Sequence, residues 1–291
     1  MYKSILPLRF PLHDFPDCSC GAPIQSDFPL SVFLKCPLAG SSAQSKSHIG
    51  LQLARLVIVV LMVFMTVEIA VEIAVHTVVT VVFCQDCRWQ RLPDSRHDVA
   101  GLIDALGLED IVLIGWSTGN LDTWSYVHQF GKDRLRGVVT IDMSPLPLSP
   151  DPKWWTEGTI EELSQVATQV LTSSQGCREF FSEYATGVMI QHEMEPDELE
   201  YLLDISGRTP YWICRQLFCD AVFSNYLETA KDVGATMPSL MFIAEHWQDV
   251  AKPFVETQLP GYGTYVMGGH LMFYEYPENW NSVLEDFLNK L

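Results

Sequence analysis

Ile111-Val112-Leu113-Ile114-Gly115-Trp116-Ser117-Thr118-Gly119-Asn120 is the stretch from which the rest of the chain can be read. Four apolar residues open it, as in a buried strand. An abrupt Gly-x-Ser-x-Gly turn follows, and an amphipathic pattern then runs from Leu121 to Phe130. Strand, tight turn and helix in that order give Gly-x-Ser-x-Gly its meaning as a nucleophile elbow, with the serine hydroxyl thrust out of a cramped backbone. Glycines flank the serine because a Cβ there would strike the neighbouring strand or helix. Outside that context the same five residues would be an ordinary surface turn.

The flanks supply the context. Upstream, Asp98 to Leu108 predicts an amphipathic helix, with Val99, Leu102, Ile103 and Leu106 on one side and Gly107 as its stop. Downstream, Arg136 to Asp142 predicts the next strand, running into Met143-Ser144-Pro145. Strand, helix and strand at this spacing predict a parallel sheet with right-handed crossovers. The character then changes. Prolines at 145, 147, 150 and 152 mark a linker. Helices are expected over Thr159 to Leu171, Arg178 to Met189 and Glu195 to Leu203, with one or two more over Tyr211 to Leu227. A helical cap inserted after a sheet strand gives this pattern, and most of its aromatic residues are expected to be ordinary core. The sheet resumes at Pro238 to Ala244, and a helix is expected up to Gln258. Gly263 to Met267 reads as a last strand that delivers Gly268-Gly269-His270, and Glu278 to Leu291 as the final helix.

The first third is harder to read. Residues 17 to 50 are rich in Pro, Ser, Gly and Cys and read as loop, with only Leu30 to Leu34 regular. Leu56 to Phe83 is almost entirely apolar. A membrane helix would suit its length, but Glu68, Glu72 and His76 would share one helical face and would be expensive in lipid. Strand and helix in a soluble core is the preferred reading, supported by the run Val78 to Phe83. No signal peptide is expected, and the protein is expected in the cytoplasm. Over the whole chain, 48% of residues are hydrophobic and the net charge is −18, with mean hydropathy +0.11. That balance excludes a disordered chain and disfavours a nucleic-acid partner. Of the eight cysteines, Cys84 and Cys87 form one Cys-x-x-Cys with no matching second pair, so thiols in a reducing compartment are expected rather than a zinc site. No metal or cofactor is implied.

Three stretches, Leu106 to Gly119, Val138 to Pro145 and Gly268 to Trp280, together resemble the α/β-hydrolase superfamily. The likeness is greatest to the branch of small esterases, cofactor-free haloperoxidases and epoxide-hydrolase-like proteins, and it covers Val99 to Leu291. It implies an α/β-hydrolase fold, a mostly parallel sheet with a helical cap, in which the family's opening strands are lacking. Residues 1–144 would form the first part of the core, with 17–98 atypical. Residues 145–236 would form the cap and 237–291 the rest of the core. His13-Asp14-Phe15-Pro16 resembles the family's oxyanion loop, with Asp14 where the family has glycine.

The resemblance also implies chemistry. Ser117 would be the nucleophile and His270 its base, since a serine hydroxyl attacks poorly until its proton is removed. The acid, which fixes the histidine tautomer, follows one of two strands in this superfamily. After Ala244 the usual position falls near Trp247, which cannot serve, although Glu245 and Asp249 flank it. Asp142 ends the other strand and is the preferred choice. The oxyanion hole would use the N–H of Thr118, with a partner from Asp14 or Phe15. Trp116, Trp154, Trp155 and Met272 are expected to line an apolar pocket. The expected function is cleavage of an ester or lactone of an apolar small molecule. The rival expectation is an impaired or non-catalytic hydrolase-fold protein, membrane-associated through residues 56–83.

Overall fold

The computed structural model describes residues 32–35, 57–62, 77–82, 92–151 and 153–291. In chain order the first elements are β1 (Val32–Lys35), β2 (Val57–Met62), β3 (Thr77–Val82), α1 (Leu92–Leu106), β4 (Ile111–Trp116), α2 (Gly119–Phe130) and β5 (Leu135–Ile141). A helical segment follows: α3 (Ile160–Gln165), α4 (Ser174–Tyr184), α5 (Pro196–Ser206), α6 (Tyr211–Val222) and α7 (Leu227–Thr236). The chain ends with β6 (Ser239–Ile243), α8 (Gln248–Gln258), β7 (Tyr262–Val266), α9 (Met272–Glu275) and α10 (Pro277–Leu288).

The strands form a seven-stranded sheet in the order β1-β3-β2-β4-β5-β6-β7. β1 is antiparallel to β3 at one edge, and every other pairing is parallel. The strand after the elbow thus sits beside the elbow strand, as the strand-helix-strand pattern predicts. Parts of the apolar stretch, β2 and β3, are sheet strands, and β1 falls in the one regular-looking part of residues 17–50. Glu68, Glu72, His76, Cys84, Cys87 and the His13-to-Pro16 stretch lie outside the described residues. Among the described residues, no helix is long and apolar enough to cross a membrane.

Period-two side-chain alternation divides the core. Ile111, Leu113, Val138, Met241 and Ile243 face one layer, where they pack with Val99 and Ile103 of α1, Leu121 and Trp124 of α2, and Phe254 of α8. Val112, Ile114, Val139, Ile141, Leu240 and Phe242 face the other, with Trp280, Leu284 and Leu288 of α10. β4 is therefore covered on both sides, which is why it reads as an unbroken apolar run rather than an alternating one. Full burial of one such side chain contributes about 1.5–3 kcal/mol. Trp124 also satisfies its indole N–H, which donates to Tyr262 Oη at 3.1 Å. Gly107 ends α1 at φ 57°, a left-handed conformation that favours glycine.

Between β5 and β6 the helices overlap the expected spans, but α4 begins earlier, at Ser174, and α7 runs beyond Leu227, where no helix was expected. α3 and α4 each run on into a π-helical turn, Val166–Val170 and Ala185–Met189. Thr159 starts α3 with a reciprocal capping box to Glu162, Thr159 N–H donating to Glu162 Oε2 at 2.8 Å and Glu162 N–H to Thr159 Oγ1 at 3.2 Å. The second π-helical turn directs backbone carbonyls toward the loop that carries His270, as described next.

Candidate active site

β4 delivers Ser117 and β5 delivers Asp142 at adjacent strand ends. Both residues adopt positive φ, 54° and 52°. For a side chain other than glycine, that conformation costs about 1–2 kcal/mol, so the surrounding structure has to enforce it. At Ser117 it does so in three ways. Ser117 N–H donates to Ile141 O at 2.9 Å, Asn120 N–H donates to Ser117 O at 2.9 Å, and α2 begins two residues on. Gly115 has no room for a side chain: a Cβ there would lie 2.6 Å from Asn120 Oδ1 and 2.7 Å from Gly119 O. Asn120 is fully buried and ties the start of α2 to β5. Its Nδ2 donates to Ile141 O at 2.8 Å, and its Oδ1 accepts from Ile141 N–H at 3.2 Å. Asn120 thereby fixes the residue before Asp142.

Asp142 is 2% exposed and uses both carboxylate oxygens. Oδ1 accepts from Ala244 N–H at 2.8 Å, and Oδ2 lies 2.7 Å from His270 Nδ1. A carboxylate only accepts, so the proton of that bond belongs to Nδ1 and Nε2 is left as the basic nitrogen. Nε2 is buried and has no hydrogen-bond partner among the described residues. It therefore makes no hydrogen bond to Ser117 in this state. Ser117 and Thr118 are half-buried. Thr118 N–H donates to no carbonyl among the described residues and stands at the start of α2, where the helix dipole favours negative charge.

The His270 loop is held from two sides. From the sheet, Trp116 Nε1–H donates to His270 O at 2.8 Å, with the rings 5.2 Å apart. From the helical segment, His270 N–H donates to Val188 O at 3.1 Å and Leu271 N–H to Met189 O at 2.8 Å. Glu275, with its side chain only 2% exposed, gathers Gly269 N–H at 2.9 Å and Gln191 N–H at 2.6 Å onto its carboxylate. Tyr184 sets its ring edge-on to the imidazole at 5.7 Å.

The other expected residues lie elsewhere. Glu245 is exposed and accepts from Gln191 Nε2 at 3.1 Å, and Asp249 is exposed in the first turn of α8. Neither reaches His270. Among the four residues expected to line a pocket, Trp155 and Met272 have no accessible surface. Trp155 packs against Trp247 and Phe254, and Met272 joins the core beneath α10, so both are packing residues rather than pocket wall. Trp116 is also buried and holds the His270 loop. Trp154 is half-buried against Phe254. Asp14 and Phe15 lie outside the described residues.

Sequence reasoning missed Asn120, Tyr184 and Glu157. Asn120 follows the elbow directly, and its polarity inside a buried helix start was the available signal. Glu157 lies in the proline-rich connector, where nothing marks it. Burial and the neighbouring Asp142 carboxylate push its carboxyl up to about 8, against an opposing pull from Ser144 N–H. Tyr184 is raised well above its usual range by burial, then by Glu157 and Asp142. His246, its ring tilted against Trp247 at 5.3 Å, is lowered by burial despite the pull of Asp142. Among the described residues no cluster of three or more His, Cys, Asp or Glu could hold a metal ion.

No protein-family profile and no curated protein matches the sequence. Solved structures do match. A bromoperoxidase from Bacillus anthracis superposes with a TM-score of 0.69 at 14% identity, over 90% of this chain and 97% of its own. An esterase from Exiguobacterium antarcticum gives 0.67 at 12% identity, over 90% and 96%. An enol-lactonase from Burkholderia xenovorans LB400 gives 0.63 at 14% identity, over 81% and 92%. The chain has the α/β-hydrolase fold.

Proposed function

We propose that this protein is a serine hydrolase that cleaves an ester or lactone of an apolar small molecule. The observation that carries the reading is the buried 2.7 Å contact between Asp142 Oδ2 and His270 Nδ1, beside a serine held at positive φ on the elbow. The fold shared with an esterase and an enol-lactonase supports it.

In this mechanism Ser117 Oγ attacks the substrate carbonyl carbon while its proton passes to His270 Nε2. The carbonyl π electrons move to oxygen, and the oxyanion is met by Thr118 N–H at the positive end of α2. Collapse of the intermediate expels the alkoxide, which takes the proton from Nε2. Water then attacks the acyl-enzyme, giving a proton to Nε2, and collapse of the second intermediate returns that proton to Ser117 Oγ as the acid product leaves. Asp142 fixes the tautomer and stabilises the imidazolium. A second oxyanion donor from Asp14 or Phe15 belongs to this proposal. Residues 145–236 act in it as a cap between the two core parts, 1–144 and 237–291. The adjacent unbridged thiols Cys177 and Cys214 fit a reducing compartment such as the cytoplasm.

A second reading, a hydrolase-fold protein without turnover, is favoured by the unpartnered His270 Nε2. Serine hydrolases also loosen this contact without ligand, so catalysis is the better reading. A fluorophosphonate probe separates the two. Covalent labelling of the folded wild-type protein, abolished by Ser117→Ala, is the expected result. Absence of labelling, or equal labelling of the variant, selects the second reading.

A further inference from the structure

Glu275 has no part in the mechanism above, yet its carboxylate lies between the loop that carries His270 and the segment after the second π-helical turn. Its side chain is only 2% exposed. Oε2 accepts from Gly269 N–H at 2.9 Å, one residue before His270. Oε1 accepts from Gln191 N–H at 2.6 Å and from His192 N–H at 3.3 Å. One oxygen thus holds the loop and the other holds the helical segment. Gly269 is seated closely on this carboxylate: a Cβ there would lie 2.9 Å from Oε2 and 2.6 Å from Met189 O.

The rest of the loop is held by the same segment. Gly268 O accepts from Gln191 Nε2 at 3.1 Å, His270 N–H donates to Val188 O at 3.1 Å, and Leu271 N–H donates to Met189 O at 2.8 Å. Gly269 differs in being tied through the side chain of Glu275. The tie matters because His270 must serve two partners. Its Nδ1 is 2.7 Å from Asp142 Oδ2, and its Nε2 must come within reach of Ser117 when substrate is bound. A misplacement of about 1 Å is enough to cost about a hundredfold in rate.

A glutamine at this position would keep the shape and lose one acceptor. Its amide oxygen would stay with Gln191 and His192, which offer two backbone N–H groups, and its NH2 would face the single N–H of Gly269. Two donors 2.9 Å apart are both left unpaired, so the loop shifts at the residue next to His270.

We propose that Glu275 is a positioning residue for hydrolysis: its carboxylate fixes Gly269 and, through it, holds the His270 imidazole between Asp142 and Ser117. This rests on the hydrolase reading and adds a carboxylate that acts without touching the substrate.

Glu275→Gln tests it, with His192→Ala as the control for the other oxygen. The end point of fluorophosphonate labelling counts competent sites. Per labelled site, kcat for p-nitrophenyl butanoate should fall by about a hundredfold in Glu275→Gln, with KM within about twofold of wild type because the side chain is sealed from solvent. His192→Ala removes an exposed ring 3.3 Å from Oε1 but no backbone N–H, and should stay within about twofold in both constants. A role in folding alone would lower the urea midpoint and the number of labelled sites while leaving kcat per site unchanged; that result overturns the proposal. So does a loss in His192→Ala equal to that in Glu275→Gln. Glu275→Asp retains two accepting oxygens on a shorter stem and should fall between wild type and Glu275→Gln. Should Glu275→Gln not fold, Glu275→Asp carries the comparison, and a wild-type kcat per site in it is the refuting result. A readout independent of turnover is the low-field proton resonance of His270 Nδ1–H, identified by its loss in Asp142→Asn. It should move in the Glu275 variants and stay in place in His192→Ala; an unmoved resonance in the Glu275 variants overturns the proposal. Labelled wild type with no loss of kcat per site in the Glu275 variants refutes the role of Glu275 alone. No labelling of wild type refutes the hydrolase reading, and the resonance then decides whether Glu275 places the imidazole.

Discussion

Replacing Asp142 by Asn isolates what its second oxygen does. Asn keeps an Oδ1 that can accept from Ala244 N–H, now 2.8 Å away. Its amide group then faces His270 Nδ1, which sits 2.7 Å from Oδ2. An amide N–H only donates, so Nδ1 must become the acceptor and the imidazole proton moves to Nε2. Nε2 can then no longer take the proton of Ser117. A tautomer switch of this kind lowers kcat by about ten-thousandfold, which corresponds to about 5 kcal/mol of barrier. Folding should change by only about 1 kcal/mol, because the buried polar atoms remain paired. The assay is ester hydrolysis at saturating substrate, run beside urea unfolding and the rate of fluorophosphonate labelling. Asp249→Asn and Glu245→Gln serve as controls and should stay within about twofold of wild type, since both side chains are exposed and away from His270. A larger loss in either control than in Asp142→Asn would refute the assignment of the acid. So would an Asp142→Asn variant with undiminished kcat.

Other outcomes are expected from the same geometry. Gly115→Ala forces a Cβ to within 2.7 Å of Gly119 O and should destabilise the fold by about 2–3 kcal/mol, read as a lower urea midpoint; an unchanged midpoint would refute the close approach. Glu157→Gln bears on stability. The Glu157 carboxyl rises from 4.5 to about 8 on folding, so between those values the folded state holds more protons and wild type loses stability as pH increases. The variant lacks this loss, and its advantage should grow across that window to at most about 5 kcal/mol, then level off; a pH-independent difference in urea midpoints would contradict it. Cys214, pushed up to about 12 by burial, and Cys177, raised by the same cause, should escape iodoacetamide in the native protein and react in urea. Peptide mass spectrometry showing native modification of either would contradict their burial.

Local features were the most legible in the sequence. The strand-turn-helix around Ser117 is encoded within twenty residues, because steric demands at Gly115 and the period of α2 are both short-range. Asp142 was legible as the carboxylate that meets His270 by its strand end and by Trp247 filling the alternative position. The pocket residues were not legible, since a tryptophan in a connector looks the same whether it lines a cavity or, like Trp155, packs wholly inside. Glu157 and Tyr184 escaped for a different reason. Their importance lies in their distance from Asp142, and only tertiary structure sets that distance. The π-helical turns depend on a one-residue shift of backbone bonding, for which Ala185 to Met189 carries no compositional mark.

That second π-helical turn limits how the molecule can be rebuilt. Its carbonyls at Val188 and Met189 hold the backbone of His270 and Leu271, and Gly269 packs where a Cβ would lie 2.6 Å from Met189 O. The helices between β5 and β6 are thus not an interchangeable module set on a finished core. Grafting another protein's helices at this junction would leave the His270 loop without two of its anchors, and a transplanted loop would meet the wrong carbonyls. The π-helical turn and the loop form one inheritable unit, so variation at residues 185–191 and at 268–275 should be correlated among descendants of this chain.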